Sequence, residues 1–470
     1  MNGARTTIAL VLLGLLALGV RVWVVLAPGG AQDMPRETPA SRIAQTLLAG
    51  HGFSAEQKRG QNYFPCPSDI APPTTPTESS SDPFFAPTSA EAPFYPLLLA
   101  AAYRCFGTVS PAAVLAVQLL QCVAGAVLVL VVAWLGWSLL PDRPGFGWLA
   151  AAAATFYPPH LVLVAHLQVA VWAALALSLL LAVAVSTQWH TARWRAILAG
   201  LLAGLLLLME PMLVLALPVC AVAFWLSDGE STWEARLGGA RIGRVALMLG
   251  VAVLVIAPWL VRNRVVHGRF TFVTTDFGHA LWEGNNSISG EADRDPVPPG
   301  DHAEFSGLSE PQRSQLLLRR ACQGIWEHPT RYGQLCLTRL YHFLLLDDTP
   351  GSRPERIATV AWLVLGMLGW WLSRGRWRSL WPTYAIFAVS AFFPVLVSVS
   401  ARFRTAIEPM TLVWASAAVA PVLVRLLPQH TVKVYRPGEQ AHDMPGTQHV
   451  LKGPHYDLDD VEVARRRRAG

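Results

Sequence analysis

Long apolar runs separated by short basic linkers dominate this sequence. The first run, Thr6 to Ala27, is long and lacks a small-residue cleavage site, so it predicts an uncleaved helix rather than a signal peptide. The later runs approach or exceed the ~20 residues that cross a ~30 Å hydrocarbon core. They are Ser110–Leu140, Phe146–Val185, Ala196–Leu226, Val245–Val261, Ile357–Leu372, Leu380–Val399 and Thr405–Leu427. This pattern predicts an all-α polytopic membrane protein.

Prolines interrupt the two longest runs. Phe146–Val185 contains "YPPH" at Tyr157–His160, and Ala196–Leu226 contains "MEP" at Met209–Pro211. Proline ends or kinks a helix at such points. The linkers that flank these runs, and both ends of the chain, carry arginine, as cytoplasmic segments typically do. Each long run therefore crosses twice, which predicts about ten transmembrane helices, cytoplasmic termini and prolines at the outer surface.

Two long segments remain on the predicted outer side, and we refer to 28–107 and 262–356 as the first and second outer segments. The first contains two short stretches with helical apolar spacing, Ser41–Gly50 and Phe94–Gly107, which predict interfacial helices. The Pro/Ser/Thr-rich insert Pro65–Pro93 between them is either a disordered connector or a mobile lid. The second segment predicts a small outer domain.

The remaining organisation is simple. Residues 1–427 are predicted to form one membrane domain. Residues 428–470 are polar and end in an arginine block, which predicts a disordered cytoplasmic tail able to contact anionic lipid.

Composition narrows the class of protein further. Apolar residues make up 53% and charged residues 14% of the chain, which excludes a soluble globular profile. The net charge of +6 is mostly arginine without a basic face on a soluble domain, so no nucleic-acid partner is expected. The six cysteines lack metal-ligand spacing, and we predict no metal site and no cofactor, leaving a divalent metal open. Pairing of Cys322 with Cys336 is also left open.

Several stretches in the predicted outer regions share their order with a known family. They are "LLAGHGFS" (Leu47–Ser54), "PTSAEAPFYPLLLAAAYRCFG" (Pro87–Gly107), "PWLVRN…GHALWEGNN" (within Pro258–Asn286), the helical stretch Arg319–Leu344 and "ARFRTAIEP" (Ala401–Pro409). Over residues 6–427 the sequence resembles the GT-C superfamily of polyprenyl-phosphate-sugar glycosyltransferases. The similar branch includes protein O-mannosyltransferases and aminoarabinose transferases, and is glycosyltransferase family 39-like.

The resemblance implies a GT-C fold and an enzyme. Such an enzyme would move a hexosyl or pentosyl group, with inversion, from a polyprenyl-phosphate carrier to a protein, lipid or glycan acceptor. The reaction would occur at the outer face of a cell membrane, typically the bacterial inner membrane, with membrane lipid as a further partner. Two alternatives remain: a catalytically silent GT-C scaffold or lipid-binding subunit, and a transporter or flippase. The transporter is disfavoured because no inverted repeat is visible.

A phosphate-bearing donor requires cations at the membrane surface. Arg402 and Arg404 begin the last crossing at the predicted outer boundary, and Arg262 and Arg264 follow another crossing at the mirror position. Arginine binds phosphate oxygens in a bidentate manner, so these four are candidate substrate-binding residues. The alternative is snorkelling of their side chains at the membrane interface.

Transfer to a hydroxyl also requires a carboxylate that accepts its proton. In the family this is an Asp, often followed by Glu, but the corresponding positions here are Arg36 and Glu37. Either Glu37 or Asp33 has become the base, or activity is lost. Glu91 is a second candidate, which would either orient the acceptor or assist the base, or be a solvated surface glutamate. Glu210 is unusual before its proline: it is either a functional acid at the tip of a helical hairpin or a carboxylate at a water-exposed turn, and we favour the exposed turn.

The motif "LWEGNN" combines an aromatic ring with two amides. Trp282 would face a sugar ring or the interface, Gly284 would permit a tight turn, and Asn285 and Asn286 would offer hydrogen bonds. The motif either closes over a lipid-linked sugar or is a structural turn.

Overall fold

The computed structural model describes residues 3–27, 37–57, 84–141, 145–186, 193–227, 239–285, 308–345, 353–398 and 401–426. The helices are α1 (Gly3–Leu26), α2 (Pro39–Leu48), α3 (Phe94–Phe106), α4 (Pro111–Leu139), α5 (Gly145–Phe156), α6 (Pro158–Leu163), α7 (Ala170–Val185), α8 (Arg193–Met209), α9 (Ala216–Leu226), α10 (Gly239–His267), α11 (Phe277–Asn285), α12 (Glu310–Glu327), α13 (Pro329–Leu345), α14 (Arg353–Leu372), α15 (Trp377–Leu396) and α16 (Ala401–Leu426). The predicted helical class is confirmed. The interpretations of Asp33, Asn286 and the tail fall outside the described residues.

Four helices in the described part of the chain are long and apolar enough to cross a membrane. They comprise Arg5–Leu26, Pro111–Leu139, Arg241–His267 and Arg374–Leu396. Shorter apolar helices, among them α5, α7 and α14, pack beside them. The protein is thus a multi-pass membrane protein, while the total of about ten crossings stays a prediction.

Both proline-containing runs are broken where the sequence predicts. Helix α5 ends at Phe156 and α6 begins at Pro158. Helix α8 ends at Met209, and a 3-10 turn from Pro211 to Leu215 leads into α9. A proline nitrogen has no hydrogen to donate, so it is tolerated at the start of a helix but not in its interior.

Arg21, inside the first apolar helix, illustrates how the bundle is joined. Its guanidinium is fully buried and donates to the carbonyl oxygens of Ala17 in the same helix and Ala154 in α5, both at 3.0 Å. Gly125 of α4 makes room for it, because a Cβ there would lie 2.5 Å from the Arg21 Nε. Arg21 therefore pairs helices rather than snorkelling to the membrane surface.

The first outer segment contains the two predicted short helices and one unpredicted sheet. Thr38 caps α2 by accepting a hydrogen bond from the Ser41 amide, and the Ser41 hydroxyl lies 2.9 Å from the Tyr103 hydroxyl of α3. Strands β1 (Ser54–Gln57) and β2 (Phe84–Pro87) pair antiparallel, with Ser54 opposite Pro87. The sheet delivers the chain directly to the loop before α3.

In the second outer segment, Arg339 of α13 joins several helix ends. Its guanidinium donates to the carbonyl oxygens of Val395 (3.3 Å) and Leu396 (3.0 Å) in α15 and to the carbonyl of Gly284 in α11. It also donates to the side-chain oxygen of Asn285 at 2.8 Å. One guanidinium thus satisfies the carboxyl ends of two helices, which otherwise have unpaired carbonyls.

Candidate functional site

A cavity of about 330 Å³ lies where five chain segments meet. These are the start of α2, the loop before α3, the chain after α6, the break after α8 and the loop before α11. The side chains that give the cavity its chemistry come from all five: Thr38, Glu91, His166, Gln168, Glu210 and Asp276. The breaks in both long runs therefore meet residues of 28–107 and 262–356 at one end of the helices. The membrane face to which this end belongs stays a prediction.

Carboxylates set the charge of this cavity. Glu91, Glu210 and Asp276 line it together with His166, and its described lining contains no Lys or Arg. Glu91 and Glu210 lie on different elements, in the loop before α3 and in the break after α8. Within the described residues, no group of three His, Cys, Asp or Glu side chains is arranged to hold a metal ion. The arrangement offers proton acceptors and hydrogen-bond acceptors for hydroxyl groups.

Glu210 corrects the interpretation made from its sequence. We expected a water-exposed carboxylate at a turn, yet only 5% of this residue is accessible. The break between α8 and the 3-10 turn lines the cavity together with residues of the first outer segment, so its tip forms a cavity wall rather than a free surface. The sequence signal of a functional role was an acid next to proline within an apolar run, because burying a carboxylate is energetically costly.

The loop that carries Glu91 is held by Arg262 of α10. The Arg262 guanidinium donates to the Thr88 carbonyl and to the Ser89 hydroxyl, both at 2.7 Å, and to the Phe53 carbonyl at 2.7 Å. Arg262 of α10 therefore joins two stretches that are distant from it in sequence, one at Phe53 and one at Thr88–Ser89. In this structure the hydrogen bonds of Arg262 fix the position of the loop that carries Glu91.

Two aromatic rings pack against the Arg262 guanidinium. The Arg262 guanidinium lies 4.8 Å from the ring centroid of Trp259 and 5.4 Å from that of Phe53. The two rings contact edge to face, and the Trp259 indole donates to the Val273 carbonyl at 2.7 Å. Cation–π contacts and limited water access strengthen the hydrogen bonds that fix the loop.

Glu310, the first residue of α12, also holds this loop. Its Oε1 accepts from the Ser89 amide at 2.9 Å and from the Thr275 hydroxyl. Burial raises the pKa of Glu310 despite these donors and the nearby Arg262 charge. Sequence analysis missed this residue, whose signal is an acid in the first turn of a helix with a Ser309–Gln312 capping box.

Glu310 should make the stability of the fold depend on pH. Because its folded pKa is raised above 4.5, the folded protein binds a proton that the unfolded chain has already lost. Its contribution is fully present in acid and falls as the pH rises through the folded pKa. We expect the thermal midpoint of wild type, relative to that of Glu310→Gln, to fall as the pH rises above 4.5. The control is Glu56→Gln, which changes an exposed glutamate. If the difference in thermal midpoint between wild type and Glu310→Gln does not change with pH, the pKa of Glu310 is not raised by folding.

The predicted phosphate ligands do not line this cavity. Arg262 is engaged with backbone carbonyls, and Arg264 is exposed and donates to the Gly268 carbonyl. The side chain of Arg402 lies outside the described part of the chain. Glu37 is exposed directly before Thr38 of the cavity wall.

Arg404 is paired inside the bundle. Its Nε and Nη2 each lie 2.7 Å from Glu408 Oε1, one turn further along α16. His160 Nε2 lies 3.5 Å from Glu408 Oε2, and Arg404 also donates to the Phe343 carbonyl at 3.3 Å. Arg404, Glu408 and His160 are all buried. The spacing of Arg404 and Glu408 was a readable signal of this ion pair.

The "LWEGNN" motif lies at a different place from the acidic cavity. Trp282 and Asn285 line a second cavity of about 270 Å³ in the second outer segment. The Asn285 amide donates to the Leu281 carbonyl at 2.7 Å and its oxygen accepts from Arg339. Gly284 lies within α11 rather than in a tight turn. A Cβ at this position would collide with the Val397 carbonyl, so a larger residue would not fit. Close helix packing is thus the reason for this glycine.

Two apolar runs broken at prolines, the short helices α2 and α3 and an acidic cavity at one end of the helices belong to one architecture: the chain has a GT-C fold. It is similar to the oligosaccharyltransferase of Archaeoglobus fulgidus in the apo form, with a TM-score of 0.53 and 13% identity over 90% of this chain and 51% of that one. The complex of that protein with Zn and sulfate gives a TM-score of 0.49, 15% identity, and coverage of 89% and 49%.

A third solved structure is ArnT from Cupriavidus metallidurans bound to undecaprenyl phosphate, with a TM-score of 0.34 and 14% identity over 90% of this chain and 81% of that one. The chain spans about half the length of the oligosaccharyltransferase it matches. No protein-family model and no curated protein matches the chain.

Proposed function

We propose that this protein is a membrane glycosyltransferase that moves a sugar from a polyprenyl-phosphate carrier to an acceptor hydroxyl at the outer face of the membrane. The observation that carries the proposal is the acidic cavity, in which Glu91 and Glu210 approach from two elements at the end of the helices. The GT-C fold and the ordered sequence motifs support the same reaction class. The acceptor is a protein, lipid or glycan hydroxyl.

In the proposed reaction, the acceptor oxygen attacks the anomeric carbon of the donor. The bond between that carbon and the phosphate oxygen breaks, and the electron pair leaves with the carrier phosphate. A carboxylate accepts the acceptor proton, and attack opposite the leaving group inverts the anomeric configuration. No redox partner is needed, since atoms and electrons balance within donor and acceptor.

Glu91 is the proposed base, because its loop is fixed by Arg262 and Glu310 and its side chain is partly accessible in the cavity. A positioned base accelerates proton transfer because its geometry is set before reaction. Glu210 is proposed to bind sugar hydroxyls from the opposite wall. Glu37 and Asp33 remain proposed as alternative bases.

The donor phosphate is proposed to lie outside the acidic lining, since three carboxylates would repel it. Arg264 and Arg402 are the proposed ligands of the donor phosphate. Arg262 and Arg404 would serve only after leaving their present partners, the loop carbonyls and Glu408.

Transfer from radiolabelled polyprenyl-phosphate sugars to membrane acceptors tests the proposal. Membranes containing the full chain should transfer label from at least one hexosyl or pentosyl donor, and membranes lacking it should not. Chain that binds the carrier but transfers nothing from any donor would contradict the proposal. That result would favour a silent scaffold, for which the arginine at the family's Asp position, Arg36, is the supporting observation.

A further inference from the structure

The second cavity lies between α11, α12 and α13, away from the carboxylates of the first. Its walls come from Trp282 and Asn285 of α11, the last turns of α12 and the first turns of α13. Its volume of about 270 Å³ is sufficient for a single sugar ring with a substituent. No residue of this cavity takes part in the transfer chemistry proposed above.

The charge of this cavity is opposite to that of the first. Among the lining residues that the structure describes, Arg320 and Arg331 are cations and Glu327 is the carboxylate, which accepts from the Gln323 amide at 2.8 Å. Helix α13 begins at Pro329, so the positive end of its dipole also points to this region. Guanidinium groups bind phosphate and carboxylate oxygens in a bidentate manner. The cavity is therefore suited to an anion.

Two aromatic side chains also make the cavity suitable for a sugar ring. Trp282 packs against the small apolar cluster that includes Ala321, and Tyr332 donates from its hydroxyl to the Leu396 carbonyl at 3.2 Å. Burial raises the pKa of Tyr332 to about 12, so this hydroxyl stays protonated. A flat ring beside polar groups is the surface on which a sugar ring packs.

The wall is also pre-formed. Arg339 holds Asn285 at one edge of the cavity and binds the carbonyl ends of α15 behind it. Gly284 permits the close contact that keeps α11 in place. A rigid wall lowers the entropy lost on binding.

We propose that this second cavity binds an anionic sugar, meaning a hydroxylated ring that carries a phosphoryl or carboxyl group. Arg320 and Arg331 hold the anionic group, and Trp282 packs against the ring. The proposal goes beyond the transfer reaction and does not depend on it, since its readout is binding.

Calorimetric titration of glucose 1-phosphate into the full chain in phosphatidylcholine nanodiscs tests this site. We expect saturable binding that weakens at least tenfold in both Arg320→Gln and Arg331→Gln, because each loses a charge-assisted contact. Arg319→Gln, an exposed neighbour on α12 outside the cavity, should bind as wild type does. Unchanged thermal midpoints verify that the variants are folded.

Three further measurements distinguish the kinds of ligand that the cavity could bind. Glucose alone and inorganic phosphate should each bind at least tenfold more weakly than glucose 1-phosphate, and Trp282→Ala should remove the preference over phosphate. Nanodiscs containing phosphatidylinositol should compete with glucose 1-phosphate if the source is a lipid headgroup, and not if it is a soluble or glycan-borne group. Absence of Arg320- and Arg331-dependent binding in both lipid and soluble arms would overturn the proposal, as would equal binding of phosphate and glucose 1-phosphate.

Discussion

Replacing Glu91 with glutamine is expected to lower the rate of sugar transfer by about 100- to 10,000-fold, the usual contribution of a positioned general base. Glutamine keeps the shape of the side chain but cannot accept the acceptor proton at neutral pH. The effect should fall on kcat, because donor and acceptor binding use other groups. Steady-state transfer measured with saturating donor and acceptor checks this, with protein amount and thermal midpoint matched to wild type.

Two variants make that result specific. Glu210→Gln should act mainly on KM for the donor, since its proposed role is hydroxyl binding rather than proton transfer. Glu283→Gln, an exposed acid on α11, should leave transfer unchanged. If Glu91→Gln retains wild-type kcat while Glu37→Gln or Asp33→Asn loses it, the base is Glu37 or Asp33 and our assignment is wrong.

Replacing Arg404 with methionine is expected to destabilise the fold by about 3–5 kcal/mol, because it leaves the Glu408 carboxylate buried without its partner. The double variant Arg404→Met with Glu408→Leu should recover most of this loss, because both charges are then removed together. Unfolding equilibria of the two single variants and the double variant in nanodiscs give the coupling between the residues.

This cycle also separates two roles for Arg404. An ion pair that only supports the bundle gives a large coupling energy with Glu408 and leaves the donor KM of the folded double variant near that of wild type. If Arg404→Met is as stable as wild type but raises the donor KM, the guanidinium binds phosphate in the working enzyme, and the pairing seen here is secondary.

Much of the architecture could be predicted from the sequence because it follows from local physics. The apolar runs specify helices in a membrane, and the prolines at 158 and 211 specify where those helices break. The short helices α2 and α3 follow from apolar spacing. The sheet β1–β2 was missed because each strand has only four residues, too few for a pattern.

The site was less predictable, because its key contacts join residues that are distant along the chain. Nothing near Arg262 in the sequence reveals that carbonyls of Phe53 and Thr88 accept its hydrogen bonds. Sequence likewise cannot tell whether the tip bearing Glu210 faces solvent or a cavity wall. The pair Arg404 and Glu408 is different, since its i,i+4 spacing is visible in the sequence.

The four acceptors of Arg339 have a mechanical consequence. Carbonyls at the ends of α11 and α15 share one guanidinium, so any hinge between these helices must break several hydrogen bonds at once. Helices α11 and α15 should consequently move as a unit, and a displacement of the span α15 would be transmitted directly to the wall that holds Trp282. Occupancy of the second cavity and the tilt of that span are then mechanically linked.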